Sequence, residues 1–195
     1  MNPTTLPMDR LEFVRVSVEA NPKFKPAQRG TTPSFSQIEF DCERNARLGQ
    51  KSRISIDNPE DPRHFVFEFG IKLSSQDESG QEIPYELEVG VRGFFRYVGS
   101  LHDGVDRFRA VRVTGYSIMY GAIREMVSTL TGRGPHGLLQ LPAMNFHGLA
   151  KEEAESDEKA RQEALTAKAT PKRRKLAAPA RKSATKGSPK RSKDD

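Results

Sequence analysis

The sequence predicts an α+β fold: a four-stranded antiparallel sheet packed with a long amphipathic helix and a C-terminal helix, in an oligomer. Three observations carry this expectation. Two stretches in the first half alternate apolar and polar residues with period two. A later stretch switches to the helical period. After residue 169 the large apolar residues all but vanish.

The strands come first. In LEFVRVSVEA (11–20), Leu11 and Phe13 are out of step with Val14, Val16 and Val18. A bulge at Phe13–Val14 would produce that slip. FSQIEFDCERNARL (35–48) is a weaker strand, with Ile38, Phe40, Cys42 and Ala46 in phase. RISI (53–56) either extends it or pairs with its neighbours. HFVFEFGIKL (64–73) places Phe65, Phe67, Phe69, Ile71 and Leu73 on one side. YELEVGVRGFFRYV (85–98) puts Tyr85, Leu87, Val89, Val91, Gly93, Phe95 and Tyr97 on one face. Glu86, Glu88, Arg92 and Arg96 fall on the other face, with Phe94 among them. One apolar face at period two is the pattern of a half-buried antiparallel strand. The polar stretch SSQDESGQEIP between these two strands, with Gly80 and Pro84, reads as a hairpin connection.

The helices follow. SIMYGAIREMVSTL (117–130) sets Met119, Ile123, Met126, Val127 and Leu130 in one stripe. Thr114 is the expected N-cap and Gly132 the expected C′ stop. Gly121 costs a mid-helix position about 1 kcal/mol relative to Ala, which points to close packing against another helix. Residues 151–168 form a second helix with acidic residues leading and basic ones following. Its faces are nearly all polar, so it is expected to be solvated or weakly docked. Residues 169–195 are rich in Lys, Ala, Pro and Ser and are expected to be disordered. The resulting organisation is a domain over 1–150, a charged helix over 151–168 and a basic tail over 169–195.

The net charge of +6 is unevenly placed. Residues 171–195 hold ten Lys/Arg and two Asp, a net of +8, and the rest of the chain is slightly acidic. Such a tail binds polyanions, nucleic acid included, without sequence preference at low salt. Its cations include Lys172, Arg173, Arg174, Lys175, Arg181, Lys182, Lys190 and Arg191. A single cysteine, Cys42, excludes an internal disulfide framework. No apolar run approaches the ~18 residues of a membrane span, and MNPTTLPMDR lacks an apolar secretory core. A cytoplasmic setting is expected.

Catalytic chemistry is not legible. His64, His102, His136 and His147 stand far apart, and none has a ligand partner at metal-binding spacing. TGRGPHG (131–137) follows a helix, whereas a phosphate cradle needs a helix N-terminus. No enzyme activity, cofactor or metal is expected. What stands out is GRGPHGLLQLPAMNF (132–146), which breaks the helix yet stays apolar. Ordinary loops are polar, because buried backbone needs partners.

The order of elements, and above all IMYGAIREMVSTLTGRG running into LLQLPAMNFHGL, resembles the SecB export-chaperone family. The resemblance covers roughly residues 9–150 and is carried by Arg124, Glu125, Gly132, Gly134, Leu141, Pro142, Asn145, Phe146 and Leu149, with Gly93 and Phe95 in VRGFFRY. Gly121-Ala122 stands where the family usually has Pro-Tyr, and the proline of LPAMNF is shifted by one place, which marks a divergent SecB-like branch. The resemblance implies a homo-tetramer, a dimer of dimers, that binds unfolded or pre-export polypeptides in apolar grooves without ATP. It implies that Phe40, Leu139, Leu141, Met144 and Phe146 line or support the groove. Export-type members reach the SecA motor through an acidic tail; the basic tail here runs against that route. The alternatives are a dedicated chaperone of a toxin–antitoxin pair and a nucleic-acid-associated protein acting through its tail.

Overall fold

The computed structural model describes residues 6–24, 46–75, 83–99 and 103–169. Four strands come first: β1 (Met8–Ala20), β2 (Ala46–Ile56), β3 (His64–Ser75) and β4 (Tyr85–Arg96). Two helices follow, α1 (Gly104–Thr131) and α2 (His147–Ala169). All strand pairs are antiparallel and the spatial order is β1-β4-β3-β2, a Greek-key arrangement in which the first strand lies beside the last.

The alternation seen in the sequence sets the faces. Phe65, Phe67, Phe69, Ile71 and Leu73 of β3 and the odd-numbered residues of β4 are buried. The opposite face carries exposed ion pairs such as Arg92–Glu68 at 2.7 Å and Arg15–Glu88 at 3.0 Å, a kind of contact that contributes little stability. The register of β1 on β4 skips between Phe13 and Arg15, so Val14 bulges where the sequence slips phase. A second skip lies between Met8 and Arg10. β2 runs unbroken from Ala46 to Ile56, so RISI extends the strand that holds Ala46 to Leu48, one of the two expectations for it. Phe40, Cys42 and the rest of 35–45 lie outside the described residues, as does the basic tail, Lys172 to Arg191 included.

Helix α1 starts ten residues before the expected Thr114 cap. Asp103 is its N-cap, accepting from the Gly104 backbone N–H at 3.0 Å. The early turns escaped notice because two of their inward positions are arginines, Arg107 and Arg112, 6% and 3% exposed. The buried face runs on through Tyr116, Met119, Tyr120, Ile123, Val127 and Thr131. Leu130, expected on that stripe, is 42% exposed. Gly132 does end the helix, but in a right-handed conformation, its N–H bonded to Ser128 O.

α1 lies across the apolar face of the sheet through edge-on aromatic contacts. Tyr116 meets Phe67 at 5.0 Å and Phe69 at 5.2 Å; Phe108 meets Phe65 at 5.8 Å. Gly115 makes this approach possible, since a Cβ there would fall 2.4 Å from the Phe67 ring. Gly93 does the same for its own strand, where a Cβ would fall 2.6 Å from the Phe95 ring and 3.3 Å from Met119 Sδ. Gly121 does not fit its expected role within this chain. A Cβ there would meet nothing within 4 Å, because α2 packs along the Arg112–Tyr116 side of α1.

α2 is not loosely solvated. It begins at His147, four residues earlier than expected, and presents Ala150, Ala154 and Glu158 to the body of the fold. Buried Arg112 holds it. Its guanidinium grips Asp157 through two bonds, Nε to Oδ2 at 2.6 Å and Nη2 to Oδ1 at 2.9 Å. Nη1 reaches Glu153, the Tyr116 hydroxyl and Ser52 Oγ of β2. Burial and then the Glu153 carboxylate push the Tyr116 hydroxyl up to about 12, so it stays protonated. Further along, Arg161 donates to both Glu158 oxygens at 2.7 Å and to Pro59 O at 2.7 Å. The polar composition that reads as a solvated helix is the docking surface itself. Buried ion pairs fix geometry more than they add stability, and removing one partner strands a charge.

Two predictions follow from this packing. Gly115→Ala should destabilise the chain by about 1–3 kcal/mol through overpacking. Gly121→Ala should leave the monomer fold intact and stabilise it by up to about 1 kcal/mol. Urea denaturation of the two variants beside the parent reads both signs. A further prediction concerns acid. The Arg161 bonds hold Glu158 below its ordinary value of 4.5. A depressed carboxylate contributes stability that is present above its unfolded pKa and is lost as pH falls through the folded one. Denaturation midpoints should therefore fall as pH drops below about 4.5, and Glu158→Gln should flatten that fall while lowering stability at neutral pH.

Candidate functional site

The apolar segment after α1 has no helix or continuous strand of its own between residues 132 and 146. Its backbone is held by side chains of α1. Tyr120 donates to Pro142 O at 2.6 Å, Arg124 Nε to Leu141 O at 3.1 Å, and Ser128 Oγ to Leu139 O at 3.5 Å. Thr131 Oγ1 accepts from the Leu139 N–H at 2.9 Å while donating to Val127 O. Residues 120, 124, 128 and 131 follow the helical spacing of one face. The segment is thus laid along α1, and the carbonyls of Leu139, Leu141 and Pro142 are satisfied, which lowers the cost of burying its backbone.

At the start of the segment, the Tyr85 hydroxyl of β4 donates toward Gly137 O at 2.9 Å and accepts from the His136 N–H at 3.1 Å. The His136 ring nitrogen bonds Asn21 O at 2.9 Å. At the other end, Phe146 stacks on Tyr116 at 4.9 Å and meets Tyr120 and Phe69 edge-on at 5.2 and 5.9 Å. Asn145 Oδ1 accepts from the His147 N–H at 3.0 Å and so starts α2.

Between α1 and the end of this segment lies a cleft of about 390 Å³. Val113, Ser117 and Gly121, each one turn from the last, form one wall with Tyr120 and Arg124. Residues Ala143 to His147 form the other. Met144 stands at its edge, 44% exposed. A concavity of about 470 Å³ along α2 is larger, but Lys159, Gln162, Glu163, Thr166 and Ala167 all belong to one helix face, so it has no second wall.

The expected groove residues divide. Leu139 and Leu141 are buried, 0% and 1% exposed, and pack in the core under the segment. They do not line an open groove in this chain. Phe146 is nearly buried and forms the base of the cleft wall, while Met144 faces outward. Phe40 lies outside the described residues. Glu125, next to Arg124, is exposed and does not line the cleft. No signal in the sequence marks Val113, Ser117 or Tyr120 as cleft residues: Val113 precedes the expected Thr114 cap, and Ser117 and Tyr120 lie off the expected apolar stripe. Among the described residues no cluster of His, Cys, Asp or Glu could hold a metal ion, and no helix is long and apolar enough to cross a membrane.

No family model matches the chain, and no curated protein matches it. Among solved structures, the chain is similar to the SecB-like chaperone Rv1957 of Mycobacterium tuberculosis, seen in complex with a ChAD peptide from the Rv1956 HigA1 antitoxin. The TM-score is 0.48 at 20% identity, over 72% of this chain and 91% of that one. It is also similar to a protein of unknown function from Streptococcus agalactiae, with a TM-score of 0.41 at 5% identity, over 71% and 97% of the two chains.

The division between Leu139 and Met144 is directly testable. Leu139→Ser should cost about 3–5 kcal/mol, since it removes a buried side chain and buries a hydroxyl. Met144→Ser should change stability by less than about 1 kcal/mol, as a surface substitution does. Equal destabilisation by the two in thermal or urea unfolding would place Met144 in the core.

Proposed function

We propose that the chain is an ATP-independent chaperone of SecB-like type that holds unfolded polypeptides in the cleft beside α1. The observation that carries this reading is the cleft itself. It has an aromatic base in Tyr120 and Phe146, an exposed methionine at its edge, and an uncovered glycine in its helical wall. Apolar surface held open next to a point of close backbone access is what capture of an unfolded chain requires. Methionine suits such a surface because its flexible thioether adapts to different side chains. Of the residues of 117–149 that resemble the family, Arg124, Asn145 and Phe146 line the cleft, and Leu141 and Pro142 carry carbonyls that α1 holds. Leu139 and Leu141 act from beneath by anchoring the wall, and Met144 and Phe146 touch the client. Assembly into a tetramer would multiply weak individual contacts.

The basic tail supports a second, separate activity. A net of +8 in 25 residues attracts polyanions whatever the body of the chain does. One experiment separates the two. Aggregation of a denatured model protein is followed with the full chain, with a chain ending at 168 and with Met144→Ser, at about 50 and 300 mM salt. Suppression should survive both truncation and salt and should weaken on Met144→Ser. DNA binding, measured alongside, should need the tail and fade at the higher salt. Client capture that needs the tail, or that collapses with salt in parallel, would remove the cleft from the mechanism.

A further inference from the structure

The cleft carries a charge pattern as well as an apolar surface. Its basic lining groups are Arg124 and His147, and no carboxylate lines it. Arg124 uses Nε to hold Leu141 O. Among the described residues it forms no ion pair, unlike Arg92, Arg107, Arg112 and Arg161, which each meet a carboxylate. Its two terminal amino groups are therefore available at the rim of the cleft. Gly121 lies one turn before Arg124 on the same helix face, with nothing within 4 Å of where its Cβ would stand. A mid-helix glycine with ordinary helical backbone and no internal neighbour to accommodate leaves room for a backbone from outside.

We propose that this cleft selects polypeptide segments in which an apolar residue stands beside a carboxylate, with Arg124 as the residue that reads the charge. The proposal rests on the polypeptide-binding reading above and names the class of segment bound. The incoming backbone runs over Gly121, its apolar side chain enters between Tyr120, Phe146 and Met144, and its Asp or Glu meets the Arg124 guanidinium. A cation at this rim pairs with a carboxylate through charge-assisted hydrogen bonds. A segment flanked by Lys or Arg would instead bring like charges together next to low-dielectric surface, which disfavours it.

The probes are three fluorescent peptides of about twelve residues that share a Phe-Leu-Val centre. Their flanks carry Glu, Gln or Lys. Affinities are measured by anisotropy on the full chain, with its tail retained in every variant so that tail attraction is common to all. The acidic peptide should bind about tenfold more tightly than the neutral one, and the basic peptide most weakly. Arg124→Gln should remove most of the difference between peptides, and Arg124→Lys, which keeps the charge, should retain it. An unchanged order in Arg124→Gln would overturn the proposal while leaving polypeptide binding standing. Loss of the preference in both Arg124 variants would overturn it too, by assigning Arg124 to positioning the segment through Leu141 O. Gly121→Leu should weaken all three peptides. If Gly121→Leu leaves peptide affinity and client capture untouched, the polypeptide-binding reading itself fails. If it instead lowers the mass seen by light scattering, the face belongs to a second copy of this chain, and the proposal fails with it.

Discussion

The line of hydrogen bonds from α1 to the backbone of residues 139–142 is the constraint on which the rest of the site depends. An apolar segment without secondary structure cannot be buried unless its amides and carbonyls find partners. Tyr120, Arg124, Ser128 and Thr131 supply them at helical spacing. Once the backbone is held, Leu139 and Leu141 can close the core and Phe146 can stack on Tyr116. The same bonds fix where Met144 emerges, and so define the outer wall of the cleft.

That arrangement depends in turn on how closely α1 sits on the sheet. Gly115 brings the helix against Phe67, and Tyr116 then inserts between the β3 phenylalanines and Phe146. Arg112, one turn earlier, ties the same stretch of α1 to α2 and to Ser52 of β2. The apolar and polar sides of the scaffold therefore meet at one turn of α1. The apolar side supplies most of the stability, since burial outweighs what an ion pair contributes after desolvation. The ion pairs fix the start and direction of α2, and with it the end of the cleft wall.

The sheet was legible because each of its central strands has one buried face, and period-two alternation reports that directly. Even the bulge at Val14 was visible as a slip in phase. The first half of α1 was not, since the helical stripe is broken where Arg107 and Arg112 take inward positions. A lone arginine in a helix reads as surface; only its partners Asp61, Glu153 and Asp157, 41 to 46 residues away, make it core. α2 was misjudged for the same reason. Its docking residues are charged, and composition cannot distinguish a carboxylate facing water from one facing a buried guanidinium. The apolar segment stood out in the sequence, but which of its residues face inward was not legible there. Leu139 and Met144 are both apolar residues in a Gly- and Pro-broken stretch, and which of them points inward depends on bonds made by α1.

The two walls of the cleft come from stretches separated by fewer than thirty residues, 113–124 and 143–147. Both are fixed by contacts within one chain: the α1 ladder, the Phe146 stack and the Asn145 bond that starts α2. The cleft is thus complete before any assembly takes place. Within a single chain, Gly121 leaves space in this cleft, Tyr120, Phe146 and Met144 supply apolar surface, and Arg124 supplies the charge.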